Sequence, residues 1–286
     1  MNSTEPTRVT FTSPDGVTLV ADRRGEPGAR NVVFLHGGGQ TRHSWGGTAA
    51  SVAQRGWCAW TLDARGHGES DWSDDGDYRL TMFAADVGHV LAEIGGRPAI
   101  VGASLGGLTS LLLLGRDAPG AASGLVLVDI VPHMEKTGTD RIAAFMSANL
   151  EEGFANLEEA ADAVAAYNSH RDRPPSVEGL RKNLRERNGR WYWHWDPQFM
   201  NPNRASGPSE INEPDLLMDC AHAIDVPIML VRGRMSDVVS AEGAQAFADD
   251  VANAEFVDVS EAGHMVAGDR NDAFTSAVTA FLDGLS

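Results

Sequence analysis

The chain has 286 residues, 42% of them hydrophobic and 22% charged, and its 40 acidic side chains outnumber 23 basic ones to leave a formal net charge of −17. That balance argues against a nucleic-acid partner, which needs clustered Lys and Arg against its phosphates, and against an anionic membrane surface. Two cysteines, Cys58 and Cys220, each alone, allow neither a disulfide framework nor a zinc-ligand spacing; the start MNSTEPTRVT carries no apolar leader and no run approaches a bilayer's width, so a cytoplasmic protein is expected.

Val9–Thr12 and Val17–Ala21 read as a hairpin around Pro14-Asp15-Gly16. Asn31–Leu35 is a short apolar strand running into His36 and three glycines, and a helix is expected over Thr48–Arg55, stopped by Gly56. Trp57–Leu62 reads as the next strand. Met82–Ile94 has apolar residues at helical spacing and closes on Gly95-Gly96. Ala99–Ala103 is a strand, Leu105–Leu114 a helix, and Gly124–Ile130 a strongly apolar strand. Near the end, strand Ile228–Val231, helix Ala241–Val251, strand Ala254–Val259 and helix Asp272–Leu282 restore the alternation. Continuously apolar strands alternating with helices imply a parallel sheet covered on both faces.

Between Pro132 and Leu216 the alternation stops. That stretch reads as helices near Asp140–Leu150, Leu157–Tyr167 and Val177–Arg187, then the aromatic run Trp191-Tyr192-Trp193-His194-Trp195, with prolines at 174, 175, 197, 202, 208 and 214 and no convincing strand. The expected organisation is a core built from residues 1–131 and 217–286 with a helical cap, or lid, inserted at 132–216.

The strongest chemical signal is Gly102-Ala103-Ser104-Leu105-Gly106, directly after a strand and opening a helix. A serine on such a sharp turn is pushed out at the carboxyl end of the sheet, where glycines let neighbouring backbone pack close. A hydroxyl is a poor nucleophile at neutral pH and needs a base, for which histidine is suited. Among 9 histidines, His264 follows the last strand, in a loop at the same edge of the sheet as Ser104. A carboxylate must hold that imidazole. Asp237, beyond the penultimate strand, is the expected partner because its loop should face that of His264; Asp129, at the end of Leu125-Val126-Leu127-Val128, is the alternative. Expected oxyanion donors are the backbone N–H groups of Leu105 and Gly38, with Gly39 as the alternative to Gly38. His36 is expected to orient that loop, not to act as a base.

These features resemble the α/β-hydrolase superfamily over nearly the whole chain: His36-Gly37-Gly38-Gly39, the stretch Asp63-Ala64-Arg65-Gly66-His67-Gly68-Glu69-Ser70, the turn at Ser104, Asp237 after Arg232-Gly233, and Gly263-His264. The resemblance implies an α/β fold with a mostly parallel eight-stranded sheet flanked by helices. It also implies acyl transfer from an ester, thioester or lactone to Ser104 and then to water, as in a carboxylesterase. Serine at 104 sets the chain apart from relatives with an aspartate nucleophile, and Met265 stands where C–C hydrolases of this superfamily typically carry tryptophan. C–C hydrolysis, cofactor-free perhydrolysis and a non-catalytic receptor role for the capped pocket are the alternatives.

The substrate is expected to be a small or medium, largely apolar molecule. Trp45, Phe145, Met146, Trp191, Trp193 and Met265 are the expected pocket walls, with Leu105, Trp195, Phe199 and Met200 near them. No metal site is expected, because no HxH or HExxH spacing supports one, and no cofactor. The sequence leaves the oligomeric state, monomer or homodimer, open.

Overall fold

A computed structural model of the chain describes residues 5–168, 176–201, 210–269 and 271–285. Its first half runs β1 (Thr7–Thr12), β2 (Thr18–Arg24), β3 (Asn31–Leu35), α1 (Gly46–Gln54), β4 (Cys58–Leu62), α2 (Leu80–Ile94), β5 (Ala99–Ala103), α3 (Leu105–Leu112) and β6 (Gly124–Val128). After the intervening stretch come α6 (Pro214–Ala223), β9 (Ile228–Gly233), α7 (Ala241–Asp250), β10 (Ala254–Val259), α8 (Val266–Asp269) and α9 (Asn271–Gly284). Eight strands form one sheet in the order β1-β2-β4-β3-β5-β6-β9-β10. Strand β2 is antiparallel to β1 and β4, and every other pairing is parallel. This is the doubly covered, mostly parallel sheet expected from the apolar strands.

Both faces of the sheet are buried, and the strands divide their side chains between two cores. Val33, Leu35, Ile100, Leu125, Leu127 and Leu230 face one core, which α2, α3, α6 and α7 cover. Val32, Phe34, Val101, Val126, Met229 and Val231 face the other, against Ala49 and Val52 of α1 and Phe274 and Val278 of α9. The period-two alternation is invisible in sequence because both sets are apolar. Among the described residues, no helix is long and apolar enough to cross a membrane.

The 132–216 stretch holds α4 (Lys136–Ser147), α5 (Leu157–Tyr167) and a hairpin of β7 (Leu184–Arg187) with β8 (Arg190–Trp193). The hairpin corrects the expectation of a helix over Val177–Arg187. A short 3₁₀ turn, Glu178–Asn183, is all the helix that forms, and Asn188-Gly189 makes the tight connection with both residues at positive φ, 52° and 75°. Asn-Gly is a strong hairpin signal that the charged run Arg185-Glu186-Arg187 masked in the sequence. Pro174, Pro175, Pro202 and Pro208 lie outside the described residues. Met146, Phe154, Leu157, Leu184, Trp193, Trp195 and Phe199 join the first of the two sheet cores, so the stretch shares its hydrophobic interior with the sheet.

Candidate active site

Because six strands run parallel, the loops after β3, β5, β6, β9 and β10 leave the sheet at one edge. Ser104 sits on the turn between β5 and α3 with φ 45° and ψ −112°, a backbone conformation that costs an L-residue about 1–3 kcal/mol. The glycines around it are required by space. A Cβ at Gly102 would lie 2.6 Å from the Gly106 carbonyl oxygen, one at Gly106 would lie 2.5 Å from that of Leu35, and one at Gly107 would lie 2.4 Å from Ile130 Cγ2. The turn therefore packs directly onto β3 and the end of β6. Leu105 opens α3, where backbone N–H groups have no partner within the helix and the helix dipole favours negative charge.

His264 lies beyond β10, and its side chain is 8% exposed. Its Nδ1–H donates to Asp129 Oδ2 at 2.7 Å, which leaves Nε2 as the ring's acceptor. The carboxylate that meets His264 is thus that of Asp129, the alternative, and Asp237 is corrected as its partner. Strand order explains the difference: β6 is the neighbour of β5, so its end lies next to the turn bearing Ser104, whereas β9 is one strand further away. Asp129 follows β6 immediately with φ 50° and is fully buried. Its other contacts are the Gly233 N–H, donating to Oδ1 at 2.9 Å, and the Ser236 hydroxyl, donating to Oδ2 at 2.5 Å. Asp237 instead accepts two hydrogen bonds from the Arg141 guanidinium of α4, at 2.6 and 2.9 Å, and is 35% exposed. Arg141 holds its carboxyl below the usual carboxylate range. The loop carrying His264 rests on β9: Met235 N–H donates to the Ala262 carbonyl at 2.8 Å, and a Cβ at Gly233 would lie 2.2 Å from the Gly263 carbonyl oxygen.

The loop after β3 is a turn of glycines. Gln40 N–H donates to the Gly37 carbonyl at 3.1 Å, closing a turn whose third residue, Gly39, has φ 72°. His36 Nδ1–H donates to the same Gly37 carbonyl at 2.8 Å, and its Nε2 accepts the Ala64 N–H at 3.0 Å. Both ring nitrogens are thereby used in the neutral form, and burial pushes the His36 pKa down. A Cβ at Gly37 would sit 3.2 Å from Ser104 Cβ, so the glycine turn lies against the serine.

Two more buried histidines follow, neither singled out by sequence reasoning as part of the site. His67 has its ring centre 5.2 Å from that of His36 and 5.8 Å from that of His194. Burial and the neighbouring His36 push His67 down to about 3, and burial lowers His194 well below the ordinary value. All three are neutral imidazoles near pH 7. Among the described residues no cluster of His, Cys, Asp or Glu could hold a metal ion.

Ser104, Leu105, Gly37, Gly38, Gly39 and His264 open onto one cavity of about 380 Å³. Of the expected walls, Phe145, Met146, Trp193 and Met265 line it. Two do not. Trp45 is 1% exposed in the second sheet core, its ring 5.5 Å from that of Phe34 and 5.8 Å from that of Phe274. Trp191 stands outside the cavity, under the Arg181 guanidinium at 4.9 Å, while its backbone pairs with Phe154. Tyr167, Trp195 and Phe199 complete the aromatic wall; Tyr167 stacks on Phe145 with ring centres 4.2 Å apart. Among the described residues, no Asp, Glu, Lys or Arg contributes to the wall.

A family model described as the alpha/beta hydrolase fold matches residues 30–270. The chain belongs to the α/β-hydrolase family. One relative is Esterase Rv0045c of Mycobacterium tuberculosis, 32% identical over 264 residues that cover 89% of this chain and 83% of that protein. Another is a 3-hydroxybutyrate-oligomer hydrolase of Cupriavidus necator, 26% identical over 88% of this chain and 89% of the relative. A solved structure of the Mycobacterium esterase superimposes with a TM-score of 0.76 at 31% identity, over 98% of this chain and 92% of the other. An α/β hydrolase from Novosphingobium aromaticivorans matches with a TM-score of 0.82 at 24% identity, covering 98% of each chain, and bears on the fold alone.

Proposed function

We propose that this α/β hydrolase cleaves a neutral carboxylic ester through an acyl-enzyme on Ser104. The observation that carries the reading is the pairing of His264 Nδ1–H with the buried Asp129 carboxylate, on the wall of the same cavity that Ser104 opens onto. In this reading Ser104 Oγ attacks the ester carbonyl carbon and its proton passes to His264 Nε2. Asp129 holds the ring in the tautomer that leaves Nε2 free to accept and stabilises the imidazolium as it forms. The carbonyl oxygen, now an anion, takes hydrogen bonds from the backbone N–H groups of Leu105 and Gly38. His264 then gives its proton to the departing alcohol oxygen. Water attacks the acyl-enzyme with His264 again as base, the carboxylic acid is released and Ser104 is restored.

The 132–216 stretch serves in this reading as a cap over the acyl or alcohol group. Its aromatic and thioether side chains favour an apolar group, and a wall to which, among the described residues, no Asp, Glu, Lys or Arg contributes suits a substrate that is uncharged. The 32% identical Mycobacterium esterase supports ester as the bond cleaved. The test is Ser104→Ala assayed on short- and medium-chain aryl esters, with fluorophosphonate labelling in parallel. The unaltered protein should turn over and label, and the variant should lose turnover by at least ~10³-fold and label not at all. Undiminished turnover by the alanine variant would refute the reading.

A further inference from the structure

The turn Gly37-Gly38-Gly39 poses a physical problem that rests on the ester reading. Three successive glycines have the largest backbone freedom a chain can have, yet an oxyanion donor acts only if its N–H is held in place beforehand. Within the loop, His36 and the Gln40 N–H both fix the Gly37 carbonyl. Among the described residues, no hydrogen bond from within the loop reaches the Gly39 carbonyl on the far side of the turn. Its hydrogen bond comes from His194, in the 132–216 stretch.

His194 is 1% exposed. Its Nδ1 accepts the Gly68 N–H at 2.7 Å, so the ring proton sits on Nε2, and Nε2–H donates to the Gly39 carbonyl at 3.2 Å. Burial and the neighbouring His67 and His36 keep the ring neutral, which preserves this one-donor, one-acceptor arrangement. Asp196, two residues on, and Arg185 of β7 are anchored on the same loop. Asp196 N–H donates to the Gly66 carbonyl at 2.9 Å, and Asp196 Oδ2 accepts the buried Tyr78 hydroxyl at 2.6 Å. Arg185 Nη2 donates to the Gly68 carbonyl at 2.7 Å. The ring is thus fixed from behind by its own bond to Gly68, Asp196 and Arg185 add three more bonds between the 132–216 stretch and the Asp63–Tyr78 loop, and the remaining ring N–H is aimed at the glycine turn.

We infer that His194 is a positioning residue for oxyanion stabilisation: the cap, through its Nε2–H bond to the Gly39 carbonyl, holds the glycine turn in the conformation that presents the Gly38 N–H. A docked cap and a competent oxyanion loop are then one structural event. Met146, Phe199 and Trp195 also lie against Gly38 and Gly39, but they line the pocket and make only apolar contact there, whereas His194 hydrogen-bonds the turn's backbone and does not line the pocket.

His194→Asn separates the two bonds. Its Oδ1 can take the place of Nδ1 toward Gly68, but the side chain is too short to reach Gly39. His194→Phe keeps the ring and removes both bonds. Each variant is compared with the unaltered protein for kcat and KM on an aryl ester, for the rate of Ser104 phosphonylation by a fluorophosphonate, and for thermal unfolding. The phosphonylation transition state builds negative charge on a P–O oxygen that needs the same donors, so it reads the loop even if the ester is a poor substrate. The expected result for His194→Asn is a ~10- to 100-fold fall in both kcat and phosphonylation rate, a KM within about twofold, and little change in unfolding temperature. Should His194→Phe fail to fold, His194→Asn alone decides. Unchanged kcat and phosphonylation in folded His194→Asn would overturn the inference, and so would a raised KM alone, which would make His194 a pocket wall. Ester turnover by the unaltered protein tests the ester reading separately from these ratios.

Discussion

Asp129 and Asp237 both stand beyond neighbouring parallel strands at the same edge of the sheet, yet they do opposite work. Asp129 is buried at the end of β6 and surrounded by donors: the Gly233 N–H, the Ser236 hydroxyl and the His264 ring. Asp237, four residues past the end of β9, faces outward and holds Arg141 of α4. A carboxylate can orient an imidazole only where water does not compete for it, and burial without full hydrogen bonding would be too costly to tolerate. Asp129 meets both conditions. Asp237 ties α4 to the loop after β9: a Cβ at Gly138 in α4 would lie 2.2 Å from the Asp237 carbonyl oxygen, so the helix sits directly on that loop.

The largest expected effect separates the two acids outright. Asp129→Asn should lower kcat by ~10³- to 10⁴-fold, because an amide permits the wrong ring tautomer, while Asp237→Asn should stay within about fivefold of the unaltered enzyme. Steady-state assays of the purified variants decide it, and a reversed ranking would return the role to Asp237. Ser236→Ala comes next. It removes one of the donors on the Asp129 carboxylate and should cost about tenfold in kcat with KM near its normal value, by analogy with the partners of other oriented histidines.

The smallest effect lies in stability. Arg141 depresses the Asp237 pKa in the folded protein, so the ion pair contributes above the pKa of the unfolded carboxyl and is lost as pH falls through the lower folded value. Both partners are more than a third exposed, which limits the contribution to about 0.2–1 kcal/mol. Thermal unfolding between pH 7 and pH 3 should therefore show a slightly shallower acid-side decline for Asp237→Asn than for the unaltered protein. Identical slopes would mean that the pair is energetically silent.

The sequence carried the sheet and the sharp turn at Ser104 because both are local statements. Apolar runs of strand length and a glycine-flanked serine after one of them need no knowledge of partners. Choosing between Asp129 and Asp237 needed the order β5-β6-β9-β10 and the direction of a side chain at positive φ, and neither is local. The same limit explains Trp45, which follows the glycine loop by a few residues yet turns inward between Phe34 and Phe274. In the 132–216 stretch α5 was legible from its spacing, but the β7–β8 hairpin was hidden by charged residues on an otherwise plain Asn-Gly turn. His194 lay unnoticed inside an aromatic run, because a histidine whose two nitrogens both serve backbone groups leaves no pattern in the residues beside it.

The backbone at Ser104 carries a last consequence. An L-residue is disfavoured at φ 45°, and glycine would adopt that geometry freely. Selection for heat resistance alone would therefore gain by replacing Ser104, the hydroxyl to which the proposed reaction assigns the attack. Any thermostabilising screen run on this scaffold must therefore select for turnover at the same time.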